Sequence, residues 1–105
     1  MSEKAFKRTE RAVAARLGGK RVPITGRQRG DVPDVAHEWL SVEVKERKAL
    51  PAWLKDALRQ AVAASTPAML PVVVLHELGA RHRDDLVLMA LDDFECWFGP
   101  CEEVH

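Results

Sequence analysis

Residues 32–45 read VPDVAHEWLSVEVK, and the fold turns on this stretch. Leu40, Val42 and Val44 alternate with Ser41, Glu43 and Lys45. That is the period-two pattern of a strand with one covered face. The apolar set must meet a core. The polar set is either the wet side of a sheet or a site, and the alternation alone allows both.

Working outward, WLSVEVKE (39–46) reads as a third strand, with a second beginning near Asp34. Upstream, GRQRGDVP (26–33) is a turn-rich basic loop and KRVPIT (20–25) a first strand. Before these, Ser2 can cap a helix that runs to about Leu17 and that Gly18-Gly19 ends. Phe6, Val13 and Leu17 form its narrow apolar stripe, and Glu10 falls inside that stripe. A carboxylate facing a core is costly without a partner, so Glu10 either sits at the rim, pairs with an arginine, or serves a site.

Downstream, ALPAWLKDALRQAVAAS (49–65) reads as a helix with Pro51 in its first turn. Its apolar face is Leu54, Ala57, Leu58, Ala61 and Val62. PVVVLHE (71–77) is a continuous apolar run, expected as a central strand covered on both faces. LGARHRDD turns the chain, DLVLMAL (85–91) is a further strand, and Asp92 can cap a short helix, DDFECWFG. The expected order is α-β-β-β-α-β-β-α, an α/β domain with a mixed β-sheet flanked by helices. At 105 residues the chain suits one domain spanning 1–105.

Composition narrows the function. The chain is 47% hydrophobic and 30% charged, as ordinary globular chains are, and has no apolar run of membrane-spanning length. MSEKAFKRTE holds no signal-peptide apolar region, so a cytoplasmic location is expected. The net charge is zero, yet residues 1–48 hold 12 Lys and Arg against 7 Asp and Glu, while residues 49–105 hold 4 against 9. A basic first half suits a polyanionic partner, although solvated surface accounts for charge equally well.

On the third strand Glu43 and Lys45 share a face, about 7 Å apart along the chain. Asp34, on the neighbouring strand, is placed to meet Glu43. Two close carboxylates repel unless a cation lies between them, and hard oxygen donors suit Mg²⁺ or Mn²⁺. A lysine beside such an ion can orient or deprotonate water, or neutralise charge in a transition state. The plain alternative is an exposed face on which Glu43 and Lys45 form a weak ion pair.

Pro33-Asp34, followed by Glu43-Val44-Lys45 between a Glu-bearing first helix and a second helix, resembles the PD-(D/E)XK nuclease superfamily. Within it, the small size and the helix-1 glutamate are most similar to Holliday junction resolvases of archaeal and phage type. The likeness spans roughly residues 6–76 and rests on a short, degenerate motif. It implies a restriction-endonuclease-like core and a Mg²⁺-dependent endonuclease, with Mn²⁺ as a substitute. Asp34, Glu43 and the Val44 carbonyl would hold metal, and Lys45 would be the catalytic lysine. Glu10 would assist metal or water, and Gln60 would take the place of a site glutamine. Asp31 is an alternative to Asp34; the literal Pro-Asp pattern and the shorter hairpin favour Asp34.

The same resemblance implies branched DNA as partner, 5′-phosphate and 3′-hydroxyl products, a homodimer that cuts two strands, and a bacterial or phage-infected cell as setting. Arg27, Arg29, Arg47 and Lys48 flank the site in sequence and are candidates to hold phosphates. The segment ECWFG is a candidate for the dimer contact. Trp39 and Trp53 are assigned to the core, with a groove lining as the alternative for Trp53. Cys96 and Cys101 match no zinc pattern, and His37, His76 and His82 lack ligand spacing, so zinc is not expected. A nicking or restriction-type nuclease and a non-catalytic DNA-binding module on the same fold are the rival readings.

Overall fold

A computed structural model describes residues 5–22 and 33–99. Ser2, the end of the first strand, Arg27, Arg29, Asp31 and Cys101 lie outside the described residues. The chain divides into two compact units, Met1–Lys48 and Ala49–His105, each described by itself.

In the first unit, helix α1 spans Ala5–Leu17, free of glycine and proline throughout. It stops in a Schellman arrangement. Gly19 N–H donates to Ala14 C=O (2.9 Å) and Gly18 N–H to Ala15 C=O (3.3 Å), while Gly18 takes the left-handed φ of 76° that this cap requires. The chain then enters β1 (Lys20–Arg21), antiparallel to β2 (Val35–Ala36) with Arg21 opposite Val35. Val22 N–H donates to Asp34 C=O (2.8 Å), extending the ladder by one rung.

The third strand of the sequence reading shrinks to a single bridge between Val35 and Val42, supported by Asp34 N–H donating to Val42 C=O (2.9 Å). The segment keeps the expected alternation all the same. Leu40, Val42 and Val44 are half-buried, and Ser41, Glu43 and Lys45 are exposed.

The core of this unit is small: Ala14, Leu17 and the fully enclosed Val35. Burying a valine of this kind stabilises by about 1.5–3 kcal/mol. Phe6 stays 45% exposed, so the stripe of α1 that is buried lies toward Ala14 and Leu17 rather than Phe6. His37 ties the layers together. Its Nε2–H donates to the Leu17 carbonyl (2.7 Å) at the helix end, and its Nδ1 accepts from the backbone N–H groups of Trp39 and Leu40 (3.3 Å each). Trp39 does not join the core; it is exposed, edge-on to the His37 ring.

In the second unit, α2 spans Ala52–Ala63 with Pro51, φ −56°, at its N-cap. The ring pre-sets the backbone there, and the missing N–H costs nothing. Leu54, Ala57, Leu58 and Ala61 are half-buried, while Val62 and Trp53 are exposed. Trp53, one residue before Leu54, is turned about 100° away from the covered stripe.

Strands β3 (Val73–Leu75) and β4 (Leu86–Leu88) form an antiparallel hairpin, with α2 packed on β3. Helix α3 spans Leu91–Phe98 and ends at Gly99, φ 75°. Ala90 rather than Asp92 is its N-cap; Asp92 and Asp93 lie in the first turn, where carboxylates favour the helix dipole.

Among the described residues every strand pairing within either unit is antiparallel, in place of the mixed sheet expected from the sequence. The apolar run at 71–77 is likewise half-covered, with Val72 and Val74 exposed, because a two-stranded hairpin under one helix has only one face to bury. What stands is a mixed helix and sheet chain in the order α-β-β-α-β-β-α, the expected order without its third strand. No helix among the described residues is long and apolar enough to cross a membrane.

Candidate functional site

The ladder just described brings three of the sequence-predicted residues to one place. Asp34 leads into β2 and is buried, with 9% of its surface exposed. Its Oδ2 accepts the backbone N–H of Val44 at 2.6 Å, a short charge-assisted bond that fixes the carboxylate against the facing segment. On that segment Glu43 and Lys45 project outward as a pair, Nζ to Oε2 2.8 Å. Lys45 lies within electrostatic reach of Asp34 as well.

These charges act on Lys45 in a definite direction. The hydrogen bond that Lys45 donates to Glu43, then the charge of Glu43, raises the lysine pKa above its ordinary value, and Asp34 adds to the rise. Slight desolvation and the neighbouring Arg47 oppose it. Lys45 is therefore an ammonium at neutral pH, with charge to give and no lone pair.

Both readings of the polar face anticipate the Glu43–Lys45 pair, whose side chains are 59% and 64% exposed. An exposed pair of this kind contributes little to stability. The buried Asp34 is what a merely wet face does not require, since burying a carboxylate costs free energy unless it is bonded.

Of the three alternatives for Glu10, the structure shows the pairing with an arginine. Its Oε1 is 2.6 Å from Arg21 Nε, with both side chains largely shielded. Because Arg21 pairs with Val35 in the ladder, Glu10 is held on the β1 side of the strand that Asp34 precedes. Val44 is half-buried. Arg47 and Lys48 are exposed, and the Arg47 guanidinium donates to the Glu46 carbonyl at 2.9 Å. Glu46 also accepts the Thr9 hydroxyl, tying this segment to α1. Gln60 is an exposed residue of α2, in the other unit.

In donor type alone, Asp34 and Glu43 match the hard-oxygen preference of the metal that the sequence reading implies. One of these carboxylates is buried and the other is open to solvent. Mg²⁺ keeps several waters and needs only one or two protein carboxylates.

A second grouping escaped the sequence reading. Among the described residues, His76, His82 and Asp85 are the one set of three histidine, cysteine or carboxylate ligands close enough to share an ion. They sit on the β3–β4 hairpin of the second unit. Their spacings of six and three residues match no familiar ligand motif. The available signal was the hairpin itself, which folds an HxxxxxHxxD stretch onto one end.

Comparison of the chain with known protein families, curated proteins and solved structures finds no match.

Proposed function

We propose that the chain is a metal-dependent endodeoxyribonuclease of the PD-(D/E)XK kind, acting on branched DNA such as a four-way junction. The observation that carries this reading is the buried Asp34 carboxylate, pinned to Val44 N–H beside the exposed Glu43–Lys45 pair. On this reading the α1–β1–β2 arrangement and the bridged segment are part of a restriction-endonuclease-like core.

Asp34, Glu43 and the Val44 carbonyl would hold Mg²⁺, with Mn²⁺ able to replace it. When bound, the ion supplies Lewis-acid polarisation of a phosphate oxygen and lowers the pKa of a water. Lys45, already an ammonium, stabilises the negative charge that builds on phosphorus and orients the attacking water; it does not remove a proton. The Val44 N–H fixes Asp34 in a single orientation, which limits reorganisation at the moment of reaction.

Attack in line on phosphorus forms the new P–O bond and breaks the P–O3′ bond. The attacking water gives up a proton to solvent, and the departing oxygen takes one from solvent and leaves as a 3′-hydroxyl, so that a 5′-phosphate remains. Arg47 and Lys48 are exposed beside the site to hold flanking phosphates. One such site cuts one strand, so resolving a junction calls for a homodimer, and the exposed Trp97 and Phe98 of α3 are suited to its contact. Such a protein works in the cytoplasm, in recombination or repair of DNA.

The solvent exposure of the Glu43–Lys45 pair favours one rival, a non-catalytic DNA-binding module. A single assay separates the two: cleavage of a synthetic four-way junction and its matched linear duplex, with and without Mg²⁺, by wild type, Asp34→Asn and Lys45→Ala. Junction cutting that needs Mg²⁺ and is lost in both variants is the expected result. Binding without cutting in Mg²⁺ or Mn²⁺ would leave the module. Equal cutting of both substrates would indicate a nicking or restriction-type enzyme.

A further inference from the structure

We propose that His76, His82 and Asp85 form a binding site for a divalent transition-metal ion of the zinc class. This inference is independent of the nuclease reading. It rests on residues of the second unit alone and on donor chemistry unlike that of Asp34 and Glu43.

The backbone builds the site. Leu75 and Leu86 are the last paired residues of the β3–β4 ladder, so His76 and Asp85 face each other one step beyond it. The connection between them folds back through a 3₁₀ turn over His82–Asp84. Two backbone bonds close that turn, Asp84 N–H to Arg81 C=O (2.9 Å) and Asp85 N–H to His82 C=O (3.0 Å). An Arg81–Asp84 side-chain pair at 3.3 Å supports it.

The turn carries His82 over His76, and the two imidazoles stack with centroids 4.3 Å apart and planes 28° from parallel. Both rings direct Nδ1 at the same carboxylate. His76 Nδ1 is 2.6 Å from Asp85 Oδ1, and His82 Nδ1 is 3.2 Å from Oδ2. The three donor atoms lie within 4.8 Å of one another.

A tetrahedral zinc site with bonds near 2.0–2.1 Å holds its donors roughly 3.3–3.4 Å apart. The two N···O separations are already shorter than this, so the movement needed is a slight opening together with a turn of the stacked rings that aims both Nδ1 atoms at one ion. His82 is free to make it, its side chain being 84% exposed, while the Asp85 side chain is 13% exposed and anchored. An ion here replaces two N–H···O bonds, and each neutral ring then carries its proton on Nε2. Three protein ligands leave a fourth position to water.

The choice of metal follows from the ligands. Two imidazoles and one carboxylate favour Zn²⁺, Co²⁺ or Ni²⁺ over Mg²⁺, which prefers an all-oxygen shell. Glu77 lines a concavity with His76 and Asp85 and adds negative charge near a bound cation. Bound metal would clip the base of the hairpin loop, joining the close of β3 to the start of β4.

The test is calorimetric titration of the full chain with Zn²⁺ in excess Mg²⁺, repeated on His82→Ala, His76→Gln, Asp85→Asn and Asp34→Asn, with each variant's fold checked by circular dichroism. Cobalt(II) absorption provides a second readout of the ligand field. Wild type should bind one zinc ion. His82→Ala, at an exposed position that the fold does not depend on, should weaken binding at least about tenfold, as should the other two hairpin variants. Asp34→Asn should bind as wild type does. The proposal is overturned if wild type binds no zinc, if His82→Ala binds it undiminished, or if Asp34→Asn loses it to the same extent.

Discussion

Lys45 holds a charge whose sign of titration decides its role. Its pKa is raised by Glu43, so the attraction between them is fully present below the ordinary lysine value of about 10.4 and is lost only as pH rises through the higher folded value. Cleavage should therefore show no rising limb from lysine deprotonation between about pH 7 and pH 10, and should fall above that range. A rate that climbs with a single ionisation in this window, and loses the climb in Lys45→Ala, would make the lysine a general base instead. Removing its charge should lower the cleavage rate by about 10²–10³. Asp34 offers a matched pair of variants. Asp34→Ala strips Val44 N–H of its acceptor and should cost about 1–3 kcal/mol in urea unfolding, whereas Asp34→Asn keeps an acceptor oxygen and should cost less. Both should abolish cleavage; equal destabilisation by the two would mean the Val44 bond contributes nothing. At this scale the approach of Asp34 to the Glu43–Val44–Lys45 segment was legible, because strand alternation and a short hairpin are local properties. The Arg21 partner of Glu10 was not, since it depends on β1 returning along α1. His76, His82 and Asp85 were missed for a related reason: a 3₁₀ turn, not a repeat, brings them together.

Among the elements, the end of α1 lies close against β2. A Cβ added at Gly19 would lie 2.3 Å from the Ala36 carbonyl oxygen and 2.8 Å from a Val35 methyl. The nearer atom is backbone and cannot swing aside, so the helix end must lift from the strand. Gly19→Ala should cost about 1–3 kcal/mol, read as a lower urea midpoint, and should also weaken cleavage, because Asp34 immediately precedes β2. Unchanged stability would show that the helix does not rest on β2 in solution. The Gly18-Gly19 stop was legible because a left-handed cap has a near-obligatory residue type. The strands were less so. WLSVEVKE has the alternation of a strand, yet only Val42 bridges to β2, since alternation reports burial and not hydrogen-bond partners. PVVVLHE has the apolarity of a central strand, yet forms one arm of a hairpin, since apolarity reports how much surface could be covered and not how much is.

For the molecule as a whole, the charge asymmetry and the structural division coincide. The basic excess of residues 1–48 belongs to the unit that carries Asp34, Glu43 and Lys45, and the acidic excess of residues 49–105 belongs to the other. A polyanion should therefore be drawn to the first unit and avoid the second. Counterion release gives this a measurable form: each phosphate that a cation neutralises contributes about 0.9 to the slope of log K against log salt on duplex DNA. Arg47 and Lys48 are exposed beside the site, whereas Arg81 lies in the acidic unit and already pairs with Asp84. Binding of a four-way junction without divalent ion, followed by fluorescence anisotropy across a salt series, should show Arg47→Ala and Lys48→Ala each reducing the slope by roughly one contact. Arg81→Ala should leave it unchanged. Because phosphate contacts carry no base information, the loss should be the same for junctions of different sequence. If all three variants reduce the slope alike, DNA does not discriminate between the units, and the asymmetry is a matter of solubility rather than recognition.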